Sequence, residues 1–193
     1  LPDITVITPV FDRAGEELLF FVGSRAHHAE IGGISPGSVP PRSTRIDEEG
    51  VLIDNFCLVD AGAFCETDVH ELFSAGPWPT RNIEQNLADL RAQIAANEKG
   101  AQELRRIIDE FSLDIVRAYM GHVQDNAEEM VRRVLDVLSD GQFTYPLDDG
   151  SQVSVAISID HEARTARIDF EGTSPQLSNN FNAPTAVVKA AVL

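Results

Sequence analysis

Apolar positions change period along the chain. Ile4 to Val10 and Glu17 to Val22 are short apolar-rich runs that predict two strands, joined by a turn at Asp12-Arg13-Ala14-Gly15. A long punctuated loop follows, carrying Gly32-Gly33 and Ser35-Pro36-Gly37-Ser38 through Pro41. Ile46 to Phe64 predicts two or three further strands, and Thr67 to Phe73 a short helix. From residue 81 the spacing becomes helical: Ile83, Leu87, Leu90 and Ile94 share one face, and Leu104, Ile107, Ile108 and Phe111 continue it past Gly100. Ser112 is the expected cap of a second long helix through Ile115, Val116, Tyr119, Val123, Met130, Val134 and Leu138. Gly121 lies inside that helix at a cost of about 1 kcal/mol against Ala, the kind of position where another backbone approaches closely. Gly141 is the expected stop.

The period then falls to two. Val153, Val155, Ile157 and Ile159 alternate with polar or small residues, as do Ala166, Ile168 and Phe170, and His161 to Thr165 makes the turn of an antiparallel hairpin. Strands, then long helices, then a hairpin predict an α+β fold rather than a doubly wound βαβ sheet. The expected organisation is part of a single domain over residues 1–193: a mixed β region (1–80), long central helices (81–141), and a hairpin with a loop (142–193). The chain opens on Leu1 and stops within an apolar run at Leu193, so a segment of a longer polypeptide is expected.

Composition adds exclusions. The formal net charge is -16, from 31 acidic and 15 basic residues, spread over all three regions. No basic stretch exists to neutralise phosphates, which argues against nucleic acid and anionic membranes as partners. No apolar run reaches transmembrane length. The two cysteines, Cys57 and Cys65, read as free thiols of a cytosolic protein, with a disulfide across a hairpin as the alternative.

Two clusters carry candidate chemistry. In Arg25-Ala26-His27-His28-Ala29-Glu30-Ile31-Gly32-Gly33, adjacent histidines point to opposite sides of an extended chain, so one can face a cavity while the other packs. Imidazole binds borderline divalent metals, and a carboxylate such as Asp3 completes a mixed nitrogen/oxygen site. Gly32-Gly33 could present N–H groups to an anion, but turn formation explains them as well; neither a P-loop nor G-x-G-x-x-G is present. The second cluster is Asn179-Asn180-Phe181-Asn182, where amides form Asx turns or face a polar substrate. The candidate catalytic residues are His28, Asn180 and Asn182, and the candidate metal donors are Asp3 and His27. His70, His122 and His161 are scattered and read as structural or solvated. The G-x-S-x-G and H-E-x-x-H hydrolase motifs are missing.

LPDITVITPVF, SRAHHAEIGGISPGSVPP with EEGVLIDNF, RNIEQNLADLRAQIAANEKG, DIVRAYMGHVQDNAE and FEGTSPQLSNNFNAPTAV together resemble the hydantoinase B / 5-oxoprolinase family, in order and over most of the chain. The resemblance is closer to bacterial 5-oxoprolinases than to N-methylhydantoinases or acetone carboxylases. It implies a cytoplasmic, ATP-dependent hydrolase of a cyclic amide, opening 5-oxo-L-proline to L-glutamate in glutathione metabolism. It also implies a separate hydantoinase A part that binds ATP and phosphorylates the substrate, a divalent metal of unknown identity, and a possible homo-oligomer. The isolated segment is expected to be inactive. The family's metal pattern is His-x-x-Asp with a later His; Asp3 and His27 match the last two, and the first His would fall just before Leu1. Glu30 departs from the pattern, which has Asp there. Alternative readings are an N-methylhydantoinase, an acetone carboxylase-like subunit, or a non-catalytic interface to the A part through the long helices.

Overall fold

The structure is a computed structural model that describes residues 2–193; Leu1 lies outside the described residues. It has the α+β composition expected, and it divides into two compact units: residues 1–106 with 177–193, and residues 107–176.

The first unit is organised on a hairpin. Strands β1 (Asp3–Phe11) and β2 (Leu18–His27) pair antiparallel from Asp3↔His27 to Val10↔Phe20, with a register shift before Phe11. The turn is held by Asp12, whose Oδ1 accepts from the backbone N–H of Glu16 (2.8 Å) and Glu17 (3.1 Å). β2 runs five residues beyond the apolar stretch ending at Val22. Gly23 to His27 are poor strand formers, and their extended state is set by pairing with Asp3 to Ile7.

The segment 46–64 forms two strands, within the two or three expected, but each is only two residues long. Only β3 (Val59–Asp60) and β4 (Ala63–Phe64) pair, after a 3-10 turn at Ile46–Glu48. Positive φ at Asn55 (48°), Ala61 (47°) and Gly62 (81°) interrupts extension. The apolar Val51, Ile53, Phe56 and Leu58 instead pack against the core without a ladder. That core is Ile4, Ile31, Val69, Phe73, Leu87 and Leu90. Helix α1 (Glu66–Ser74) supplies Val69 and Phe73, four residues apart on one face. Helix α2 (Ile83–Phe111) supplies Leu87 and Leu90, and continues through Gly100, where a Cβ would meet only the Val22 side chain at 3.7 Å.

In the second unit, helix α3 (Leu113–Leu135) follows Ser112, which has φ 75° and makes no side-chain cap bond. The expected cap is therefore a backbone break: the Ser112 N–H donates to Ile108 O at 2.8 Å, and the Val116 N–H to Ser112 O at 3.1 Å. Gly121 meets nothing within 4 Å, so no backbone approach accounts for it among the described residues. Strands β5 (Gly141–Pro146), β6 (Gln152–Asp160) and β7 (Thr165–Asp169) form an antiparallel sheet in that order. The hairpin β6–β7 is the one its alternation predicts; β5 is an addition. Arg164, in the turn at φ 53°, binds Glu129 (3.2 Å) and Asp136 (3.1 Å), tying this hairpin to α3. Helix α4 (Thr185–Val192) belongs to the first unit and was not expected. Among the described residues no helix is long and apolar enough to cross a membrane.

Candidate functional site

Antiparallel register brings Asp3, the first residue of β1, opposite His27, the last of β2. Their side chains converge: Asp3 Oδ1 lies 3.5 Å from His27 Nε2. The Asp3 side chain is 24% exposed and that of His27 66%. Arg25 holds the other Asp3 oxygen, with Nη1 3.3 Å from Oδ2, while its Nε donates to Thr5 Oγ1 at 3.0 Å. Asp3 Oδ1 is buried and makes no hydrogen bond. Buried polar atoms are rarely left so, and those that are ask for a ligand or a function. A cavity of about 370 Å³ adjoins this carboxylate, lined by Asp3, Thr5, Ile31, Ile46, Glu49 and Leu52.

His28 faces the opposite way, as extended backbone requires. Its side chain is fully buried, with Nδ1 2.8 Å from Asn86 Oδ1 and Nε2 3.1 Å from Gln93 Oε1. Its backbone N–H donates to Pro2 O at 2.8 Å. Thus β2 ends on an exposed imidazole, and the residue just after it carries a buried one.

Glu30, the residue that departs from the family's Asp, is a hub. Its carboxylate accepts from the Thr80 hydroxyl, the Arg81 backbone N–H, Arg81 Nη1 (2.7 Å) and the Gly32 N–H (3.2 Å). Burial alone would raise its pKa, but these donors outweigh it and hold Glu30 below the usual carboxylate value. Arg81 Nη2 also donates to Gly33 O at 2.8 Å. The Gly33 N–H goes to Trp78 O at 2.9 Å. Both N–H groups of Gly32-Gly33 are therefore engaged by protein, so the turn reading of these glycines holds and no anion nest is available.

Asn180 and Asn182 lie in the same unit as the hairpin. Asn180 Nδ2 donates to Pro40 O at 2.6 Å, and its Oδ1 is buried without a partner. Asn182 closes its own loop, accepting from the Leu177 N–H (2.8 Å) and donating to Leu177 O (3.0 Å) and Asn179 O (2.6 Å). Their hydrogen bonds go to these loops rather than to Asp3 or His27. The cysteines are free.

Two donors at 3.5 Å suit one divalent ion, since ligands each about 2.1 Å from a shared ion stand roughly 3–3.5 Å apart. Among the described residues no group of three or more His, Cys, Asp or Glu could hold a metal. The pair therefore fits half of a site. Sequence reasoning missed Thr80, Arg81, Asn86 and Gln93. The amides offered one signal: Asn86, Gln93 and Asn97 fall on the buried face of α2, where apolar residues are the rule.

Known proteins resemble this chain along its whole length. 5-Oxoprolinase 1 of Arabidopsis thaliana is 43% identical over 217 residues, covering 100% of this chain and 17% of that protein. The 5-oxoprolinase of Dictyostelium discoideum is 43% identical over 202 residues, covering 100% of this chain and 16% of its own length. The crystal structure of the ATP-dependent caprolactamase from Pseudomonas jessenii matches 99% of this chain and 33% of its own, with a TM-score of 0.84 and 26% identity. The chain thus spans a small part of the curated relatives it matches. The family described as hydantoinase B/oxoprolinase matches residues 1–193, and the chain belongs to that family.

Proposed function

We propose that this chain is part of an ATP-dependent hydrolase that opens 5-oxo-L-proline to L-glutamate. The observation that carries the reading is the buried, unpartnered Asp3 Oδ1 facing His27 Nε2 at 3.5 Å beside a cavity. The names of the relatives and of the caprolactamase supply the cyclic amide and the ATP dependence. A lactam is a poor electrophile; phosphorylation of its oxygen by an ATP-binding hydantoinase A-type part, with release of ADP, activates the ring carbon, and this part completes the opening: water adds there, the C–N bond breaks to free the amine, and hydrolysis of the remaining acyl phosphate releases phosphate and L-glutamate.

Asp3 and His27 would hold a divalent ion, with further donors from outside the described residues. Such an ion supplies Lewis acidity and an activated water. Asp3 contributes a single oxygen, because Arg25 engages the other. His28 supports the pair from behind, Asn180 offers a buried amide oxygen to a polar substrate, and Asn182 fixes the loop that carries it. The setting is cytoplasmic, in glutathione metabolism, and the 193-residue segment alone is inactive.

In the full-length protein, His27→Ala is expected to abolish ATP-coupled release of L-glutamate from 5-oxo-L-proline. Unchanged turnover overturns the assignment. Turnover of N-methylhydantoin or acetone in place of 5-oxo-L-proline reassigns the substrate within the family.

A second reading has its own support. Helix α3 exposes Ile115 (48%), Tyr119 (66%), Val123 (66%), Met130 (54%) and Val134 (53%). A stripe of this kind marks an interface, and the hydantoinase A-type part is the proposed occupant. Tyr119→Glu with Val123→Glu is then expected to weaken association with that part; unchanged association rejects this reading.

A further inference from the structure

Helix α2 buries three side-chain amides, Asn86, Gln93 and Asn97, at spacings of seven and four residues. All of them donate to main-chain carbonyls. Asn86 Nδ2 reaches Glu30 O (3.0 Å) and Thr80 Oγ1 (2.9 Å), and Asn97 Nδ2 reaches Val6 O (3.1 Å) and Thr8 Oγ1 (3.0 Å). Gln93 does more than either. Its Nε2 donates to Ile4 O on β1 (3.0 Å) and to Ser24 O on β2 (3.2 Å), and its Oε1 meets His28 Nε2. A single amide thereby holds the residue after Asp3, a residue three before His27, and the residue after His27. The Ser24 hydroxyl returns a bond to Gln93 O at 3.4 Å. Gln93 is 5% exposed, so water does not replace these bonds.

We propose that Gln93 is a positioning residue for the Asp3–His27 pair, fixing the separation at which the two side chains share a ligand. This rests on the reading of that pair as a metal half-site. A two-stranded hairpin is marginal alone and its strands can shear. Apolar packing of Ile4 against the core resists separation of the layers but has no direction along the strand. Hydrogen bonds from one amide to both strands do have that direction. Gln93 touches neither Asp3 nor His27, so its effect is expected on ligand geometry rather than on ligand identity.

The test uses the full-length protein titrated with Co²⁺, whose uptake is read by calorimetry and visible absorption, with a thermal melt on every variant. Gln93→Met keeps the volume and removes the amide. It is expected to lower Co²⁺ affinity about 10- to 100-fold, the usual effect of losing a residue that orients metal ligands, and to lower kcat with little change in KM. Asn97→Ala, which loses bonds to the same strand further from Asp3, is expected to lower the melting temperature without changing Co²⁺ affinity. Equal affinity in wild type and Gln93→Met, or an equal loss in Asn97→Ala, overturns the proposal. If Gln93→Met does not fold, Gln93→Glu, which keeps the oxygen toward His28, is judged by the same affinity comparison. A wild-type protein that takes up no Co²⁺, or keeps its uptake in His27→Ala, removes the half-site reading itself, and the positioning role with it.

Discussion

Glu30 grips Arg81 twice, accepting from its backbone N–H and, at 2.7 Å, from its guanidinium Nη1. The two residues stand 51 positions apart. Their pairing joins the loop after β2 to the segment leading into α2, and so fixes where both parts of the site's support meet. The Glu30 side chain is 12% exposed. Glu30→Gln is expected to destabilise the protein by about 2 kcal/mol, the scale for hydrogen bonds to a charged group. Urea denaturation of the variant checks it; a change within error of zero would show the grip to be incidental.

The same carboxylate sets a pH dependence. Its folded-state pKa lies below the ordinary value of 4.5. Its contribution to stability is therefore complete above pH 4.5 and is lost as the pH falls through the lower, folded value. Stability measured from pH 6 downward is expected to fall in that acid window, and less steeply in Glu30→Gln. Parallel curves for the two proteins would contradict this.

Two glycines are expected to respond oppositely to alanine. Gly33 has φ 90°, and a Cβ there would stand 2.7 Å from Glu48 O and 2.8 Å from Glu49 C. Both atoms are backbone, so Gly33→Ala should cost more than about 1 kcal/mol. Gly100 sits in α2 with only ordinary contact to Val22. Gly100→Ala should gain about 0.5–1 kcal/mol. Melting temperatures moving in the same direction would refute the contrast.

Phe73 is 0% exposed and belongs to the core beneath the hairpin. Phe73→Ala is expected to lose about 3–5 kcal/mol. Because Ile4 follows Asp3 and packs in the same cluster, the variant should also weaken ligand uptake at Asp3. Retained uptake at full affinity would show that the core and the pair are independent.

Much of the scaffold was legible. The helical spacing from Ile83 to Phe111 and the alternation from Val153 to Ile159 each reflect one buried face, and a face is a local property of sequence. The extent of β2 was not legible, because Gly23 to His27 extend only through pairing with β1. Nor was the failure of 46–64 to form long strands, since its apolar residues found a core rather than a ladder. Asp3 and His27 were named by residue type and by family resemblance; their convergence was not in the spacing of 24 positions.

Residue type and spacing dictate which groups can bind, bend or bury: the imidazoles, the carboxylates, the helical stripes and the turn glycines. Tertiary structure decided their partners. It left Asp3 Oδ1 without a donor, turned His27 outward and His28 inward, and placed Gln93 on both strands at once. Residue type fixes a group's chemistry, but a hydrogen bond between residues 89 positions apart exists only after the chain has folded to bring them within 3.0 Å.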